Sequence, residues 1–385
     1  MRILESQSLT ILTTDTCTAS CAHCCMNSSP TRRGRLSAPQ IRDYIDQAAS
    51  STTIKTVIFA GGEPLLLGED LFLSLERVRE KGMRSRLVTN AYWATSESRA
   101  RDVTRKLRDA GLDELNISID DFHLPYINSL NVKRAFDAAM LLDFESIIIA
   151  HCTGPNTKFN DRELDELLGV TLPRIYDEET GRKRRSGTER ESVKRPYVAV
   201  SNSNVQYIGR GTVKLNMDDI PAREEWRSEA REVGGCPWAV RSPAISPAGH
   251  LLSCCGFEVA GNEVLDIGDL NQHSLAQLLN DADNDLALNV IAIDGPYRIM
   301  DFLQAREPGL PFRKQYGSFC ELCQHIVTDA TIREAFLKNI SARAPEIAVI
   351  RQAAAEQIEK DLEFEWLYHK SDPVQPARDS RSGIE

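Results

Sequence analysis

The residues best suited to chemistry in this sequence are its cysteines. Ten of the 385 residues are cysteine, and in a reducing compartment so many thiols are more often metal ligands or catalytic groups than disulfide partners. All but one stand in short clusters. The clusters are Cys17, Cys21, Cys24 and Cys25; Cys236, Cys254 and Cys255; and Cys320 and Cys323, with Cys152 standing alone.

The spacing of the first cluster suits an iron–sulfur site. Cys17, Cys21 and Cys24 are separated by three and by two residues, so their thiolates can bind three irons of a [4Fe–4S] cubane and leave the fourth iron open. Electron-transfer cubanes use four cysteines, so three ligands indicate a cluster that binds another molecule. A zinc site, with His23 or Cys25 as fourth ligand, is the alternative.

A glycine-rich turn follows the second predicted strand. Thr56–Ala60 runs directly into Gly61, Gly62, Glu63 and Pro64. Glycines allow the backbone to approach a ligand closely, and a carboxylate can pair with an amine. The two motifs together resemble the signature of the radical SAM superfamily, and their combination argues against the zinc alternative.

The resemblance implies a cofactor and a type of reaction. In this family the open iron is chelated by the amino and carboxylate groups of S-adenosylmethionine (SAM). One electron from the cluster then cleaves the sulfonium to a 5′-deoxyadenosyl radical, which abstracts hydrogen from a substrate. The Gly61–Pro64 turn would bind the ammonium of SAM. His23 occupies the family's aromatic position and would pack against SAM, whereas Cys25 would not be a ligand.

Polar residues at the ends of the other predicted strands are further candidates, because the C-terminal strand ends of βα barrels form the active site. A turn or cap is the alternative for the strand-end SAM candidates, and a structural hydrogen bond is the alternative for the histidines. The candidates for SAM contacts are Asn90, Ser118, Asp120 and, by resemblance to the adenine-binding segment of relatives, Gly209, Arg210 and Gly211. The catalytic candidates are Asp121, His123, His151 and Cys255.

The later cysteines resemble the twitch form of the SPASM domain, in which four cysteines hold one auxiliary [4Fe–4S] cluster. The first two ligands flank a predicted hairpin of Ala244–Ser246 and His250–Ser253. Cys255 could replace its neighbour as a ligand, and a four-cysteine zinc site is the alternative. The four expected ligands are Cys236, Cys254, Cys320 and Cys323.

The pattern of the remaining chain predicts an α/β fold. Short apolar runs alternate with amphipathic segments, which predicts a parallel sheet with outer helices. The six units suit a partial (βα)6 TIM-like barrel over residues 1–225. The predicted strands are Leu9–Thr13, Thr56–Ala60, Arg86–Thr89, Glu114–Ile119, Ser146–Ala150 and Val205–Ile208. The predicted helices are Ala38–Ala49, Glu69–Lys81, Ser96–Ala110, Val132–Leu142 and Asp161–Leu168.

The barrel is followed by three further predicted regions. Residues 226–329 would form the small, cysteine-rich twitch/SPASM-like domain. Residues 330–372 would form terminal helices, because apolar residues recur there at helical spacing, and residues 373–385 would be a disordered tail. Within the barrel, the charged insertion Asp177–Arg195 predicts a surface loop.

Composition limits the partners and the compartment. The formal net charge is −10, which argues against a general nucleic-acid binder because phosphate contact needs a cationic face. The N-terminus has no apolar core typical of a signal peptide, and no stretch approaches the length of a bilayer span. We therefore expect a cytoplasmic protein with no nucleic-acid or membrane partner.

The resemblance leaves the substrate open. One hypothesis is modification of a ribosomally made peptide by a crosslink, a thioether or an epimerisation, and this is the reading we favour. The others are dehydrogenation of a small molecule such as an aminosugar, and a non-catalytic iron–sulfur or zinc scaffold. For an enzyme we expect a flavodoxin- or ferredoxin-type electron donor, with the auxiliary cluster assisting electron transfer. A thiol of Cys25, Cys152 or Cys255 could also donate a hydrogen atom.

Overall fold

The structure is a computed structural model that describes Leu4 and residues 6–51, 53–175, 196–220 and 235–361. The charged insertion Asp177–Arg195, the end of the predicted terminal helices and the tail at residues 373–385 lie outside these ranges. In the described part of the chain no helix is both long and apolar enough to cross a membrane.

The described strands form one open sheet of nine strands in the order β6-β5-β4-β3-β2-β1-β7-β8-β9. Strands β1 to β6 run parallel to their neighbours, and β7 also pairs in parallel with β1, whereas β8 and β9 are antiparallel. The predicted hairpin thus continues the barrel sheet. The strands are β1 Ser8–Leu12, β2 Thr56–Ala60, β3 Arg84–Thr89, β4 Glu114–Ser118, β5 Ser146–Thr153, β6 Tyr197–Asn204, β7 Ala244–Ile245, β8 His250–Leu252 and β9 Asp266–Asp269.

Helices α1 to α5 connect the parallel strands, and local capping fixes where they begin. Ser37 and Gln40 form a capping box at α1, which satisfies two otherwise unpaired backbone N–H groups. The fourth predicted helix was displaced by about three residues: Asn128 caps it by accepting from Leu130 N, so it begins earlier than its apolar pattern indicated. The helices are α1 Ala38–Ala49, α2 Glu69–Glu80, α3 Glu97–Asp109, α4 Ser129–Ala139 and α5 Asp161–Leu168.

The sixth predicted strand, Val205–Ile208, was wrong. The strand that pairs with β5 along its whole length is Tyr197–Asn204, although its second half is polar. Val205 and Ile208 are buried after the strand ends: Val205 packs with Cys152, and Ile208 packs in the C-terminal core. The apolar run Val205–Ile208 is therefore a buried loop rather than a strand of the sheet.

The C-terminal region contains helices that the sequence reasoning missed between residues 275 and 328. Several begin at a capping side chain, such as Ser274, Asp285 and Ser318, so the signal was present in the sequence. The apolar faces of the last three of these helices share a second hydrophobic core with β8 and with residues of the cysteine-rich segment. The first helix instead packs on the main core through its leucines, Leu275, Leu278 and Leu279. The missed helices are α7 Leu275–Asn284, α8 Leu286–Ile293, α9 Gly295–Arg306 and α10 Phe319–Thr328. A short helix α6, Gly211–Lys214, follows β6, and α11 Ala330–Asn339 and α12 Ala344–Asp361 lie in the region where the sequence predicts terminal helices.

The main core lies between the sheet and helices α1 to α5, and Phe59 on β2 is fully buried within it. We expect Phe59→Ala to lower the free energy of unfolding by about 3–5 kcal/mol, because the lost ring leaves a cavity. Leu73 on α2 is 55% exposed, so Leu73→Ala should change it by less than about 0.5 kcal/mol. Urea unfolding of the metal-free chain measures both, and equal effects would contradict this assignment of the core.

Candidate active site

The loop that carries Cys17, Cys21 and Cys24, called the cysteine loop below, lies beside the glycine-rich turn Gly61–Pro64. Both are at the carboxyl ends of β1 and β2. Gly62 N donates to the Thr14 carbonyl oxygen at 2.6 Å. Glu63 N donates to the Thr16 carbonyl oxygen at 2.9 Å. A Cβ atom at Gly61, whose φ is +124°, would lie 2.7 Å from the Thr14 oxygen, and one at Gly62 would overlap the Thr16 carbonyl. Glycine is therefore required for the turn to pack against the start of the cysteine loop.

Glu63 is fully buried at the centre of this arrangement. Its Oε1 accepts from the Thr89 hydroxyl at 2.9 Å and from Leu65 N at 3.2 Å, and its Oε2 accepts from Asn90 N at 2.9 Å. Burial raises the pKa of Glu63 to about 7, although the three hydrogen bonds oppose this. Pro64 follows as the first residue of a short 3₁₀ turn, Pro64–Leu67. The carboxylate is thus held in one orientation and is poised to ionise beside a cation.

Asn90, predicted as a SAM contact, lies against the cysteine loop. Its Nδ2 is 3.6 Å from Cys17 Sγ and donates to Thr18 Oγ1 at 3.0 Å. Its Oδ1 accepts from Tyr92 N at 3.0 Å, which fixes the orientation of the amide. The side chain therefore presents its N–H groups to the first cysteine.

The sulfur atoms of Cys17, Cys21 and Cys24 are not gathered around a single point. All ten cysteines lie in the described ranges, yet no three of their sulfur atoms lie within 4.8 Å of one another. Sulfurs around one zinc ion would be about 3.8 Å apart, whereas each thiolate of a cubane binds a different iron. Burial raises the pKa of Cys17 to about 12, and the neighbouring Cys21 and Cys24 add to this. A bound cation would stabilise the thiolates that burial disfavours.

Asp120 joins two imidazoles beside this loop. Its Oδ1 is 2.8 Å from His123 Nδ1 and its Oδ2 is 3.3 Å from His23 Nε2. Among the described residues, this is the one group of three potential metal ligands within 4.8 Å. The His23 ring stacks on Phe122 with centroids 4.6 Å apart. The predicted aromatic-type role of His23 is compatible with this packing.

Asp120 and His123 stabilise each other's charged forms. Burial alone would lower the pKa of His123, but the Asp120 carboxylate outweighs burial and raises it to about 10, with Cys21 contributing. Burial alone would raise the pKa of Asp120, but the two imidazoles hold it well below its usual range. Asp120 and His123 therefore form an ion pair that lies against the cysteine loop.

The other candidates at the ends of β4 and β5 have structural partners. Asp121 accepts from Phe159 N at 3.1 Å, and His151 Nε2 is 2.9 Å from the Phe159 carbonyl oxygen. His151 is buried, and its Nδ1 lies 3.4 Å from Asp161. Both side chains thus anchor the segment that leads into α5, which favours the structural alternative for His151. Ser118 is the last residue of β4 and pairs with Ala150 in the sheet.

The predicted adenine segment lies on the backbone of the cysteine loop. Arg210 N donates to the Cys24 carbonyl oxygen at 3.0 Å. A Cβ atom at Gly209 would overlap the Cys24 and Cys25 carbonyls. Gly211 is the first residue of α6. The segment therefore helps to build the cysteine loop, a role that the sequence reasoning did not identify.

The four expected auxiliary ligands converge between the β7–β8 hairpin and α10. Burial raises the pKa of Cys323 well above its usual range, and the thiols of Cys236, Cys254 and Cys320 add to this. Gly256 packs between two of them: a Cβ atom there would lie 3.4 Å from Cys320 Sγ and 3.7 Å from Cys254 Sγ. This proximity fits a shared cluster.

Cys255 is exposed, and its thiol lies near both cysteine sets. Surrounding protein desolvates this thiol and raises its pKa, and the charge of Arg86 on β3 opposes the rise. The Cys255 thiol in turn raises the pKa of Cys25 and of Cys254. The assignment of Cys254 as the auxiliary ligand therefore rests on its spacing from Gly249 in the sequence.

Comparison with known proteins agrees with these motifs. Residues 11–141 match the family model of the Radical SAM superfamily. The chain is 30% identical over 121 residues to "Putative peptide biosynthesis protein YydG" of Bacillus subtilis (strain 168), an alignment that covers 31% of this chain and 38% of the relative. It is 32% identical over 113 residues to a probable GTP 3′,8-cyclase of Methanothermobacter marburgensis, covering 29% and 35%. The chain thus spans less than half the length of these curated relatives.

The fold extends beyond this matched segment. The solved structure of native anSMEcpe with bound AdoMet and Cp18Cys peptide superposes with a TM-score of 0.50 at 12% identity, covering 90% of this chain and 99% of that one. This likeness concerns the fold alone. It confirms the predicted α/β fold class, an open partial barrel with a C-terminal extension.

Proposed function

We propose that this chain is a radical SAM enzyme whose first iron–sulfur cluster is held by Cys17, Cys21 and Cys24, since residues 11–141 match the family model of the Radical SAM superfamily. Enzymes with this domain bind a [4Fe–4S] cluster and SAM. Together these cofactors supply reductive cleavage of the sulfonium and hydrogen abstraction from a substrate. The observation that carries the proposal is the three-cysteine loop hydrogen-bonded to a turn that contains the buried Glu63 carboxylate.

The protein's own residues bind and orient SAM in this proposal. Glu63 would accept the ammonium of SAM, and the hydrogen bonds from Thr89 and from the Asn90 backbone hold its carboxylate in place. His23 would flank the cofactor, because its ring lies on the same loop between Cys21 and Cys24. Ser118 and Asp120, at and just beyond the end of β4, and the Gly209–Gly211 segment stay candidates for further SAM contacts.

SAM affinity should depend on the ionisation of Glu63. Its pKa of about 7 means that the carboxyl is mostly neutral at pH 6, so we expect SAM to bind about tenfold more weakly there than at pH 8. Glu63→Gln should bind SAM weakly at both values, whereas Glu69→Gln, an exposed residue at the start of α2, should keep the wild-type profile. Anaerobic calorimetric titration measures this, and a pH-independent affinity would contradict the role of Glu63.

The auxiliary site would hold a second [4Fe–4S] cluster on Cys236, Cys254, Cys320 and Cys323. Four ligands leave no iron open, so this cluster is suited to electron transfer rather than to substrate binding. We propose that it accepts an electron from the substrate during turnover. The first cluster would receive its electron from a flavodoxin- or ferredoxin-type donor.

The substrate we propose is a ribosomally made peptide. Two comparisons support this: one relative is named a peptide biosynthesis protein, and one solved structure of the same fold contains a peptide. The alternative is a small molecule, which is supported by the relative named as a GTP cyclase.

The test is incubation of the anaerobically reconstituted, reduced enzyme with a peptide encoded beside its gene. We expect about eight irons per chain, release of 5′-deoxyadenosine, and either a mass loss of two hydrogens or deuterium uptake at a Cα atom. Turnover of an aminosugar but of no encoded peptide would contradict the peptide proposal. Absence of 5′-deoxyadenosine with both clusters loaded would support the scaffold and contradict an enzymatic function.

A further inference from the structure

We propose that Arg210 is a positioning residue that clamps the loop of the first cluster, and that Gln324 couples this clamp to the helix carrying two auxiliary cysteines. The inference rests on the proposed function for the identity of the metal groups. The clamp itself is a feature of the protein and can be tested without them.

The clamp consists of three hydrogen bonds from one residue to the backbone of the cysteine loop. Arg210 N donates to the Cys24 carbonyl oxygen at 3.0 Å. Its guanidinium donates to the Cys21 carbonyl oxygen at 2.9 Å through Nη1 and to the Ser28 carbonyl oxygen through Nη2. One side chain from outside the loop thus fixes both ends of the segment that carries two of the three proposed ligands.

Gly209 makes this approach possible. Its φ is +51°, and any Cβ atom would overlap the carbonyl groups of Cys24 and Cys25. A side chain at this position would push Arg210 away from the loop.

The segment that contains Gly209 and Arg210 is also bound to α10. Gly209 N donates to Gln324 Oε1 at 3.2 Å, and Gln324 directly follows Cys323. A second link joins Gln206 Oε1 to the hydroxyl of Ser318, the N-cap of α10, at 2.7 Å. Residues 206–210 therefore connect the backbone of one cysteine set to the helix of the other.

A second connection runs through Glu258, in the loop that follows Cys254 and Cys255. Glu258 N donates to the Cys25 carbonyl oxygen at 3.2 Å. Its carboxylate pairs with Arg32 at 2.6 Å, and Arg32 also contacts Asp15 just before the cysteine loop. The cysteine loop is thus linked to the auxiliary region directly through Glu258 and indirectly through residues 206–210. A movement of α10, for example when Cys320 and Cys323 lose their metal, would therefore also move the cysteine loop.

Hydrogen–deuterium exchange of the metal-free, full-length chain tests the clamp directly. We expect Arg210→Ala to speed exchange at residues 17–28 about tenfold, since charge-assisted hydrogen bonds to the loop are lost. The exchange rate of Arg210→Lys should lie between those of Arg210→Ala and the wild type. Gln324→Ala should speed exchange in the same loop by a smaller factor. Gln277→Ala, on the exposed face of α7, is the matched control.

The reconstituted holoenzyme gives a second readout, the rate at which an iron chelator abolishes the SAM-dependent change in the electron paramagnetic resonance spectrum. We expect that rate to rise in Arg210→Ala and in Gln324→Ala but not in Gln277→Ala. If Gln324→Ala equals Gln277→Ala in both measurements, the coupling is overturned, and Gln324→Ala still tests it should Arg210→Ala fail to fold. If wild-type protein shows no SAM-dependent spectrum, the proposed function fails, while the exchange measurement still decides the clamp.

Discussion

Replacement of Cys21 by alanine is expected to abolish release of 5′-deoxyadenosine while the auxiliary cluster stays loaded. Two remaining thiolates are too few to hold the first cubane, so the whole cluster should be lost and the iron content should fall from about eight to about four per chain. Cys17→Ala and Cys24→Ala should behave alike. Iron analysis and product chromatography on anaerobically reconstituted protein measure both effects.

Cys152 provides the control for this experiment. Its thiol is buried in a small cluster with Val205 and Leu215, and it belongs to neither proposed ligand set, so Cys152→Ala should keep all of the iron. A Cys21→Ala enzyme that still released 5′-deoxyadenosine would show that the cleavage site lies elsewhere.

Replacement of Cys254 should remove the auxiliary cluster and spare the first one. We expect Cys254→Ala to keep about four irons per chain and to release 5′-deoxyadenosine, but to lose substrate product because the electron acceptor is missing. The same result is expected for Cys320→Ala and Cys323→Ala, whose thiols lie in the same group.

Cys255 is the matched control, because it is the adjacent residue with the same side chain. The spacing from Gly249 assigns the auxiliary ligand to Cys254 rather than to Cys255, so Cys255→Ala should keep about eight irons per chain. Loss of half the iron in Cys255→Ala but not in Cys254→Ala would reverse the ligand assignment.

The parts of the site that were predictable are those encoded locally. The spacing of the first three cysteines, the Gly61–Pro64 turn and the β7–β8 hairpin each occupy a short stretch, and their chemistry follows from residue type. Strands β1 to β5 were also recognisable, since each contains several apolar residues in a short stretch between turns, although β3 begins two residues before the predicted strand. The sixth strand was not, because Tyr197–Asn204 is partly polar and an apolar loop follows it.

Contacts between segments that are far apart in the sequence could not be predicted from residue type and spacing. That Asn90 lies against Cys17 depends on the adjacency of β1, β2 and β3 in the sheet. That Arg210 contacts the cysteine loop depends on where the chain goes after β6, which the misplaced strand obscured. The trio of His23, Asp120 and His123 likewise joins two loops that are about a hundred residues apart.

The central claim is that one iron of the N-terminal cubane has no protein ligand and is available to SAM. Electron paramagnetic resonance of the reduced, reconstituted enzyme before and after addition of SAM tests this most directly. We predict that the signal of one cluster changes on addition of SAM, that the signal of the other does not, and that Cys21→Ala removes the responsive one. A zinc ion in place of the first cluster, or a cubane signal that SAM leaves unchanged, would contradict the account.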